Sequence, residues 1–251
     1  MQSELVSVIT PSYKSKRFIA ECIESVLAQT YENWEMIIVD DCSPDNSNTI
    51  IQEYLLKDSR IKFFQLEKNS GAAVARNRAI EEAKGRYIAF LDADDVWMQD
   101  KLEKQIAFMQ DRDIAFSFTE YVKIDEKSHI ISDIIHRPQK VNYKMMLKSN
   151  YIPCLTVIYD TQKLSKVFMP LILKRQDYAL WLKILKKIDF AYCYNESLAQ
   201  YRFYAGSLSG NKFIAALYVW KLYREIEKLH FLKAVYYFGH YLVISFLKYR
   251  K

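Results

Sequence analysis

The hydrophobic positions of the first hundred residues follow two alternating patterns. Short apolar runs rich in β-branched residues predict strands, and apolar residues repeated every three or four positions predict the helices between them. Strands that alternate with helices across short connections are typical of βαβ units, so we expect an α/β fold with a mostly parallel sheet flanked by helices. The predicted strands are 5–10, 34–39, 61–65 and 87–91, and the predicted helices are 18–27, 50–56 and about 71–83.

Two residues are expected to end predicted elements. Pro11 should stop the first strand, because a proline cannot donate to a sheet. Gly85 should close the third helix as its C-terminal glycine. Every polar cluster in this half follows a strand, and the carboxyl ends of parallel strands meet at the edge where such sheets bind ligands.

The pattern after residue 100 is less regular. Trp181 lies on the inward stripe of its helix, together with Ile184. Neither a repeat nor a low-complexity linker interrupts the chain, so we predict one globular domain over 1–210 and a separate helical tail over 211–251. The elements predicted in this half are helices at 101–109 and 178–188, a bent strand or strand pair at 114–124, and strands at 155–159, 189–194 and 198–203.

Three carboxylates follow the predicted strand 87–91 within four positions. They belong to Asp92, Asp94 and Asp95. Carboxylates this close together repel, and each raises the cost of ionising the next. A divalent cation offsets such repulsion, because hard cations take oxygen ligands. The pattern therefore predicts a metal or ligand site at the end of this strand.

The composition locates the basic charge of the chain in its tail. The chain has 251 residues and a net charge of +6, and its residues 211–251 contain eight Lys and Arg against two Glu. Aromatic residues are interleaved with these basic ones. A basic, aromatic helix suits a membrane interface, and packing on the preceding domain or on a second copy of the chain is the alternative. Because no nucleic-acid-binding motif accompanies the tail, we do not expect a nucleic-acid partner.

The cysteines and the apolar runs bear on location. Four cysteines lie far apart without metal-ligand spacing, which predicts reduced thiols in a reducing compartment. No signal peptide precedes the first strand, and no apolar run reaches the length of about 20 residues that spans a membrane. We therefore expect a cytoplasmic protein that is peripheral at the inner face of the membrane.

An ordered series of motifs from residue 5 to about 210 resembles family 2 glycosyltransferases. The resemblance implies a GT-A fold, which is a Rossmann-like sheet that binds nucleotide-diphospho-sugars. Any one of these motifs is weak, but the series in this order is specific. The matching residues are Val8 to Tyr13, Ile38 to Ser43, Asn69 to Gly71, Ala75 to Asn77, Leu91 to Asp95, Asp177 with Leu180 and Trp181, Tyr201 with Arg202, and Ser207 to Ser209.

The resemblance implies that the donor nucleotide lies at the ends of the first two strands. Pro11 and Tyr13 would hold the base between a rigid loop and an aromatic face. Asp40 and Asp41 would accept hydrogen bonds from the base imide or a ribose hydroxyl. The plain alternatives are a turn with a packed tyrosine and an aspartate that caps a helix, although Asp45 is better placed as that cap.

Gly71 and Arg76 are assigned to the phosphate side of the donor. A glycine lets the backbone approach a ligand closely, and the helix that follows offers free N–H groups to an anion. Arg76 would meet a phosphate or one of the aspartates. The alternative for Arg76 is an exposed arginine on a helix.

The segment Asp92-Ala93-Asp94 resembles the DxD motif of these enzymes. By this resemblance Asp92 contacts ribose or metal-bound water, and Asp94 ligates Mn²⁺ or Mg²⁺. The cation would neutralise the leaving nucleotide diphosphate as a Lewis acid. The alternative is a solvated acidic turn, with Asp95 as the cap of the next helix.

Asp177 is the candidate base that takes the proton of the acceptor hydroxyl. Its alternative is an ordinary N-cap of the helix 178–188. The chain departs from the family pattern at Gln176, where an acidic residue is frequent, and at Tyr204, where a histidine is common. The residues assigned to the acceptor or diphosphate side are Trp181, Arg202, Tyr204 and Ser207.

The motifs together predict an inverting glycosyltransferase. It would move a sugar from a nucleotide-diphosphate donor, UDP-linked by preference, to a hydroxyl of a lipid-linked saccharide or growing glycan in surface-polysaccharide synthesis. A sugar-1-phosphate nucleotidyltransferase is a second interpretation, but it requires a glycine-rich basic loop where this chain has Thr10 to Tyr13. A non-catalytic glycan- or membrane-binding scaffold is the third.

Overall fold

A sheet of nine strands forms the centre of the computed structural model, which describes residues 3–204 and 212–248. The strands are β1 (Val6–Ser12), β2 (Trp34–Asp40), β3 (Ile61–Gln65), β4 (Tyr87–Phe90), β5 (Val96–Trp97), β6 (Phe116–Ile124), β7 (Lys140–Val141), β8 (Ile158–Asp160) and β9 (Ala191–Arg202). Their order across the sheet is β3-β2-β1-β4-β8-β6-β9-β5, and β7 pairs with β9 beside this path.

The helices cover both faces of the sheet. A 3₁₀-helix at Cys154–Thr156 precedes β8, and a π-helix at Leu222–Ile226 follows α8. The α-helices are α1 (Ile19–Leu27), α2 (Ser47–Leu55), α3 (Ala72–Glu82), α4 (Lys101–Asp111), α5 (Tyr143–Lys148), α6 (Thr161–Leu164), α7 (Gln176–Ile184), α8 (Lys212–Lys221) and α9 (Phe231–Lys248).

The first four strands form a parallel sheet as predicted, but β5, β7 and β8 pair antiparallel with their neighbours, so the whole sheet is mixed. β1 pairs in parallel with β2 and β4, and β2 pairs in parallel with β3. Every residue of β2 is buried, as its continuous apolar run Ile37 to Val39 indicates for a strand covered on both faces. Because these strands are parallel, their carboxyl ends and the loops that follow them meet at one edge.

Alternate residues of the strands enter two separate cores. Ile9 and Phe90 pack on the face covered by α3 and α7. Val8 and Ile38 pack on the opposite face, which α1, α2 and α4 cover. This period of two follows from the alternation of side chains along a strand.

Pro11 and Gly85, which were predicted to end a strand and a helix, have different roles in the structure. β1 continues through Pro11 to Ser12, beyond the last residue that β4 pairs, so Pro11 has a partner strand on one side only. α3 ends at Glu82 without a glycine cap. Gly85 is required for close packing, because a Cβ there would lie 2.6 Å from the Ser7 nitrogen.

The second half differs from the prediction in its strands. The region 189–203 forms one strand, β9, because it pairs along its length with β6 across register shifts near Glu120. The predicted strand 155–159 is divided between the 3₁₀-helix and β8. The helix predicted at 178–188 begins two residues earlier, at Gln176, and ends at Ile184.

The C-terminal helices pack on the preceding domain. Five of their residues belong to the same core as Ile9 and Phe90. The boundary predicted at residue 210 lies among residues 205–211, outside the described part, and stays a prediction. In the described ranges, α9 and the other helices lack the length and apolarity needed to cross a bilayer. The five buried residues are Val219, Leu222, Tyr223, Ala234 and Tyr241.

Candidate active site

The three carboxylates lie in a tight turn directly after β4. The Asp95 amide donates to the Asp92 carbonyl oxygen at 3.0 Å, which closes the turn. The Asp92 side chain is 29% exposed, whereas Asp95 is buried. Burial and the charge of Asp92 raise the pKa of Asp94, and burial with the charges of both neighbours raises the pKa of Asp95 well above its usual range. The repulsion expected from the sequence is therefore present.

Arg76 of α3 lies beside this turn. Its Nη2 donates to Asp92 Oδ1 at 2.5 Å, and its side chain is buried. Burial lowers the pKa of Arg76, but the charge of Asp92 and, to a smaller extent, that of Asp177 raise it above its usual range. Its Nε is buried without a hydrogen-bond partner among the described residues. Arg76 is thus a buried cation between the aspartate turn and Asp177, and it is not the exposed arginine of the alternative interpretation.

Asp41 fixes the loop before α3. Its carboxylate accepts from the amides of Ser70 at 2.6 Å and Gly71 at 2.8 Å. The Gly71 amide therefore serves Asp41 and is not available to an anion. Gly71 adopts a φ of 91°, and a Cβ there would meet open space. The glycine is required by its backbone conformation, and it leaves room beside the loop.

Asp40 and Tyr13 differ in their access to a ligand. Asp40 is buried and accepts from the Ser43 amide at 2.8 Å and from the Ser43 hydroxyl at 2.5 Å. Tyr13 is 45% exposed, with Lys14 Nζ 5.3 Å from the centre of its ring. Pro11 precedes it at the end of β1. The exposed ring, unlike the buried carboxylate, can offer its face to a flat base.

The predicted caps of the neighbouring helices are partly corrected. Asn46 is the N-cap residue of α2, while the Asp45 carboxylate accepts from the Ser47 amide. Asp95 does not cap the next helix, because α4 begins at Lys101 with Asp100 in the N-cap position.

Arg202, at the end of β9, contacts the aspartate turn, which is the turn formed by Asp92 to Asp95 after β4. Its side chain is fully buried and stacks on the Phe18 ring, with a separation of 4.6 Å. It therefore braces the turn and is not presented to an open pocket. The acceptors of its N–H groups are Asp95 Oδ1 for the amide, Asp94 O for Nε, Asp125 O and Ser128 Oγ for Nη1, and Glu21 Oε2 for Nη2.

Tyr204 stands where a histidine is common in the resembling family, and it contacts the turn directly. Its hydroxyl donates to Asp94 Oδ2 at 3.2 Å, and its ring packs on Phe18 with centroids 5.2 Å apart. Burial and the nearby Asp94 charge raise the pKa of Tyr204 to about 12, so the hydroxyl keeps its proton at neutral pH. The predicted residue Ser207 lies outside the described residues.

Asp177 lies in the first turn of α7, where the helix dipole stabilises a negative charge. It is not the N-cap residue, because the helix begins at Gln176 and Arg175 holds the cap position. Its charge contributes to the raised pKa values of Arg76 and Cys154, so it is close to the aspartate turn. A half-buried carboxylate on α7 thus lies near Arg76 and Cys154.

Trp181 is placed in the core. It is fully buried, with its ring 5.5 Å from Phe90 and 5.3 Å from Phe116, measured between centroids. Its Nε1 has no hydrogen-bond partner within the described residues. The ring therefore supports α7 against the sheet, and it does not line the surface at which Asp177 lies.

Several residues near the turn have no distinctive sequence signal. Glu21 accepts from both Arg202 and Ser128. Cys22 Sγ lies 3.5 Å from the Asp92 carbonyl oxygen, and Cys154 is buried close enough to Asp92 for that charge to raise its pKa. All four cysteines are free thiols, as the sequence predicts. Glu21 resembles any helix glutamate, so only its contacts reveal its position.

The carboxylates of this turn supply only some of the ligands that a divalent cation needs. Asp92 and Asp94 would hold the ion, since their charges repel and oxygen ligands suit Mg²⁺ or Mn²⁺. Across 3–204 and 212–248, no three side chains of His, Cys, Asp or Glu surround a common metal position. This suits a cation bound by one or two carboxylates together with substrate phosphates, which is the usual arrangement for Mg²⁺.

Comparisons with known proteins show the family of the chain. Residues 7–162 match the family described as Glycosyl transferase family 2. The chain is 51% identical over 237 residues to the Bacillus subtilis (strain 168) protein TuaG, whose name assigns it to teichuronic acid biosynthesis as a glycosyltransferase, with 94% of each chain covered. It is 40% identical over 250 residues to the Escherichia coli protein named UDP-Glc:alpha-D-GlcNAc-diphosphoundecaprenol beta-1,3-glucosyltransferase WfgD, covering 99% of this chain and 96% of the relative.

Solved structures share the fold at low sequence identity. Staphylococcus aureus TarS 1–349 in complex with UDP-GlcNAc superposes with a TM-score of 0.75 at 21% identity, over 94% of this chain and 71% of TarS. The mannosyltransferase PcManGT from Pyrobaculum calidifontis in complex with GDP-Man and Mn²⁺ superposes with a TM-score of 0.68 at 17% identity, over 90% and 64%. The predicted GT-A fold is confirmed, and the chain belongs to glycosyl transferase family 2 and is a glycosyltransferase.

Proposed function

We propose that the protein transfers a sugar, with inversion, from a UDP-sugar to a hydroxyl of a lipid-linked saccharide in surface-polysaccharide synthesis. The observation that carries this proposal is the arrangement of Asp92 and Asp94 after β4, Arg76 beside them, and Asp177 near Arg76 on α7. One group of charges suits a diphosphate and its cation, and a separate carboxylate suits an acceptor hydroxyl.

The donor binds, in this proposal, along the carboxyl ends of β1, β2 and β4. The Tyr13 ring faces the base, and the loop held by Asp41 borders the nucleoside. Arg76 adds positive charge near the diphosphate. A cation held by Asp94 and Asp92 would supply Lewis-acid stabilisation of the leaving group. Tyr204 holds Asp94 in place through its hydroxyl.

One proton and one electron pair move in the transfer step. The acceptor oxygen attacks the anomeric carbon from the face opposite the diphosphate, and a new C–O bond forms. Asp177 takes the proton of the acceptor hydroxyl as the bond forms. The bond between the anomeric carbon and the diphosphate oxygen breaks, and its electron pair leaves with UDP.

The names of the relatives support the substrate classes. WfgD is named for a UDP-glucose donor and a diphosphoundecaprenol-linked acceptor, and TuaG is named for teichuronic acid biosynthesis. At 51% and 40% identity over nearly the whole chain, these proteins favour a UDP-sugar and a lipid-linked acceptor. The sugar itself depends on pocket side chains and is assigned by experiment.

The exposed face of α9 supports contact with the inner membrane surface. Large apolar side chains cover the side of α9 that faces away from the domain, and the exposed Lys233 stands at its margin. Apolar residues with basic neighbours suit the interface of an anionic bilayer. The exposed apolar residues of α9 are Phe231, Leu232, Val235, Tyr236, Leu242, Val243, Phe246 and Leu247.

Charged substitutions on this face test the membrane contact. Leu232→Glu with Val243→Glu should reduce sedimentation with phosphatidylglycerol vesicles at least ~10-fold, because burying two carboxylates in the interface is unfavourable. Leu56→Glu is the matched control, since Leu56 is 91% exposed on the far side of the domain, after α2. Unchanged sedimentation of the double variant contradicts membrane contact, and loss of a dimer in light scattering would assign the face to a second copy.

A screen of nucleotide sugars tests the proposed reaction. The purified protein is incubated with UDP-, GDP- and dTDP-sugars, with Mn²⁺ or Mg²⁺, and with a short-chain lipid-diphosphate saccharide. Release of UDP together with a glycosylated lipid supports the proposal. Release of pyrophosphate from UTP and a sugar-1-phosphate would support the nucleotidyltransferase, and the absence of any turnover would support the scaffold.

A further inference from the structure

The backbone immediately before α7 has an unusual conformation. Arg175 adopts a φ of 66° and a ψ of 21°, in the left-handed region that residues with a side chain rarely occupy. This turn determines where α7 begins, and therefore where Asp177 is placed two residues later. A strained conformation persists only when surrounding contacts hold it. Those contacts come from the C-terminal helices.

Three tyrosines hold the residues on either side of Asp177. Arg175 Nη2 donates to the Tyr241 hydroxyl of α9 at 3.1 Å. The hydroxyls of Tyr178 and Tyr223 lie 3.2 Å apart, which joins α7 to the π-helix. Each hydroxyl has a single proton, which it donates either to the other hydroxyl or to a backbone carbonyl at the end of α5, that of Met146 for Tyr178 and that of Leu147 for Tyr223.

The tyrosine contacts are buried and neutral. Burial and the neighbouring Tyr223 raise the pKa of Tyr178 well above its usual range, and burial likewise raises that of Tyr223. Tyr223 and Tyr178 are fully buried and Tyr241 nearly so. Hydrogen bonds in such an environment are costly to leave unmade, so they fix the geometry of the groups that share them.

The segment that leads into Arg175 faces the C-terminal helices across a groove. Ile172 and Leu173 line a groove of about 190 Å³ with residues of α8 and the π-helix. On the other side of the segment, α7 packs into the core through Trp181. The direct contacts of this path with the C-terminal helices are the Arg175–Tyr241 hydrogen bond and the Tyr178–Tyr223 pair. The groove residues of the C-terminal helices are Tyr218, Lys221, Leu222, Glu225 and Ile226.

We propose that Tyr223 and Tyr241 of the C-terminal helices, acting through Tyr178 and Arg175, are positioning residues for the Asp177 carboxylate. They hold the first turn of α7 so that the carboxylate reaches the acceptor hydroxyl. The C-terminal helices are then a part of the acceptor side of the active site. This inference rests on the proposed role of Asp177 as the base.

Removal of a single hydroxyl tests the inference. Tyr241→Phe should lower the turnover number for sugar transfer about tenfold, while the KM for the nucleotide sugar and its Kd by calorimetry stay within twofold. A tenfold change corresponds to about 1.4 kcal/mol in the activation free energy. Tyr54→Phe is the matched control, because its hydroxyl joins α2 to α1 by a 2.7 Å bond to Glu24, away from α7.

A double-mutant cycle separates positioning from general weakening of the fold. Arg175→Gln and Tyr241→Phe should each lower the turnover number. The double variant should have the same turnover number as the less active single variant, because both substitutions remove one shared contact. Tyr223→Phe keeps the packing and removes the second hydroxyl. It should likewise lower the turnover number and leave the KM for the nucleotide sugar unchanged. All assays are run well below the thermal midpoint of each variant.

Three outcomes contradict the inference. They are wild-type turnover in both tyrosine variants, losses in the double variant equal to the product of the single losses, and a rise in KM for the donor as large as the fall in turnover. Asp177→Asn is measured in parallel to separate this inference from the proposed function. If Asp177→Asn keeps wild-type turnover, the assignment of the base is wrong; if it is inactive while Tyr241→Phe is not impaired, only the positioning role is wrong.

Discussion

The proposed donor side and the proposed acceptor side of the active site are built in different ways. The donor side consists of short segments that follow β1, β2 and β4, so each lies where its own strand ends. The acceptor side consists of α7, whose first turn is held by helices that come more than 40 residues later in the sequence, as the Tyr178–Tyr223 pair shows. Parallel strands bring their carboxyl ends together by topology alone, whereas a helix end has to be located by contacts.

This difference has consequences for mutation. Neighbouring strands support the ends of β1, β2 and β4, whereas the turn after β4 also depends on Arg202. On the acceptor side the position of Asp177 depends on a few buried hydroxyls. Between the two sides lies the 3₁₀-helix Cys154–Thr156, and the charges of both Asp92 and Asp177 reach Cys154.

The largest expected effect is on the acceptor side. Asp177→Asn should lower the turnover number at least ~10²-fold, because an amide cannot accept the proton of the acceptor hydroxyl. Donor affinity, measured by calorimetry with UDP-sugar and Mn²⁺, should stay close to that of the wild type. Asp100→Asn is the control, because it makes the same substitution at the start of another helix, where Asp100 is the N-cap residue of α4. Equal turnover in the two variants would leave Asp177 with a structural role only.

The next effect tests the framework of the donor side. Arg202→Met should lower the free energy of unfolding by about 2–4 kcal/mol, because buried acceptors lose a charged donor; the Glu21 partner is partly exposed, which limits the loss. It should also weaken Mn²⁺ binding in titrations with UDP, since the Asp94 carbonyl loses the Nε donor that braces the turn, although the bond from the Arg202 backbone amide to Asp95 remains.

Arg17→Met is the matched control for Arg202→Met. Arg17 stacks on the same Phe18 ring, but its ion pair with Glu126 is on the surface. Surface pairs contribute at most about 1 kcal/mol, so denaturant melts should separate the two variants. If both lose the same stability, the bonds of Arg202 do not brace the turn.

A smaller expected effect is on the pH dependence of the free energy of unfolding, and it tests Lys101, whose amine contacts the 3₁₀-helix Cys154–Thr156. Lys101 is fully buried, donates to the Gln105 side chain at 2.6 Å and to the Thr156 carbonyl at 3.3 Å, and burial lowers its pKa to about 7. The unfolded chain therefore binds more protons at this position between pH 7 and its ordinary pKa of 10.5. Stability contributed by this group should rise with pH across that interval.

Lys101→Met removes that contribution. Denaturant melts from pH 7 to pH 10 should show a smaller gain of stability with pH for the variant than for the wild type. Parallel curves for the two proteins would mean that the buried amine is not titrating in this range. Sugar transfer at a fixed pH should change little, because Lys101 lies under the 3₁₀-helix and away from the carboxylates.

The strand-end residues were the most predictable part of the site. Asp92 and Asp94 follow an apolar strand, and that local pattern suffices to place them at the ligand edge. The contact partners were less predictable: Arg202 was expected on the diphosphate side, yet it is buried beneath the turn and bound to Glu21. The two residues are 181 positions apart, and no local pattern reports a contact of that kind.

The sequence by itself determined the alternation of strands and helices, the parallel direction of the first four strands and the edge where the carboxylates gather. These depend on local hydrophobic period and on the handedness of βαβ units, which act within about 30 residues. Only the tertiary structure decided that Arg202 is buried beneath the aspartate turn, that Asp41 binds the Gly71 loop, and that Tyr223 and Tyr241 reach the start of α7. Such contacts depend on how whole elements pack, and packing is fixed by the complete core and not by any one segment.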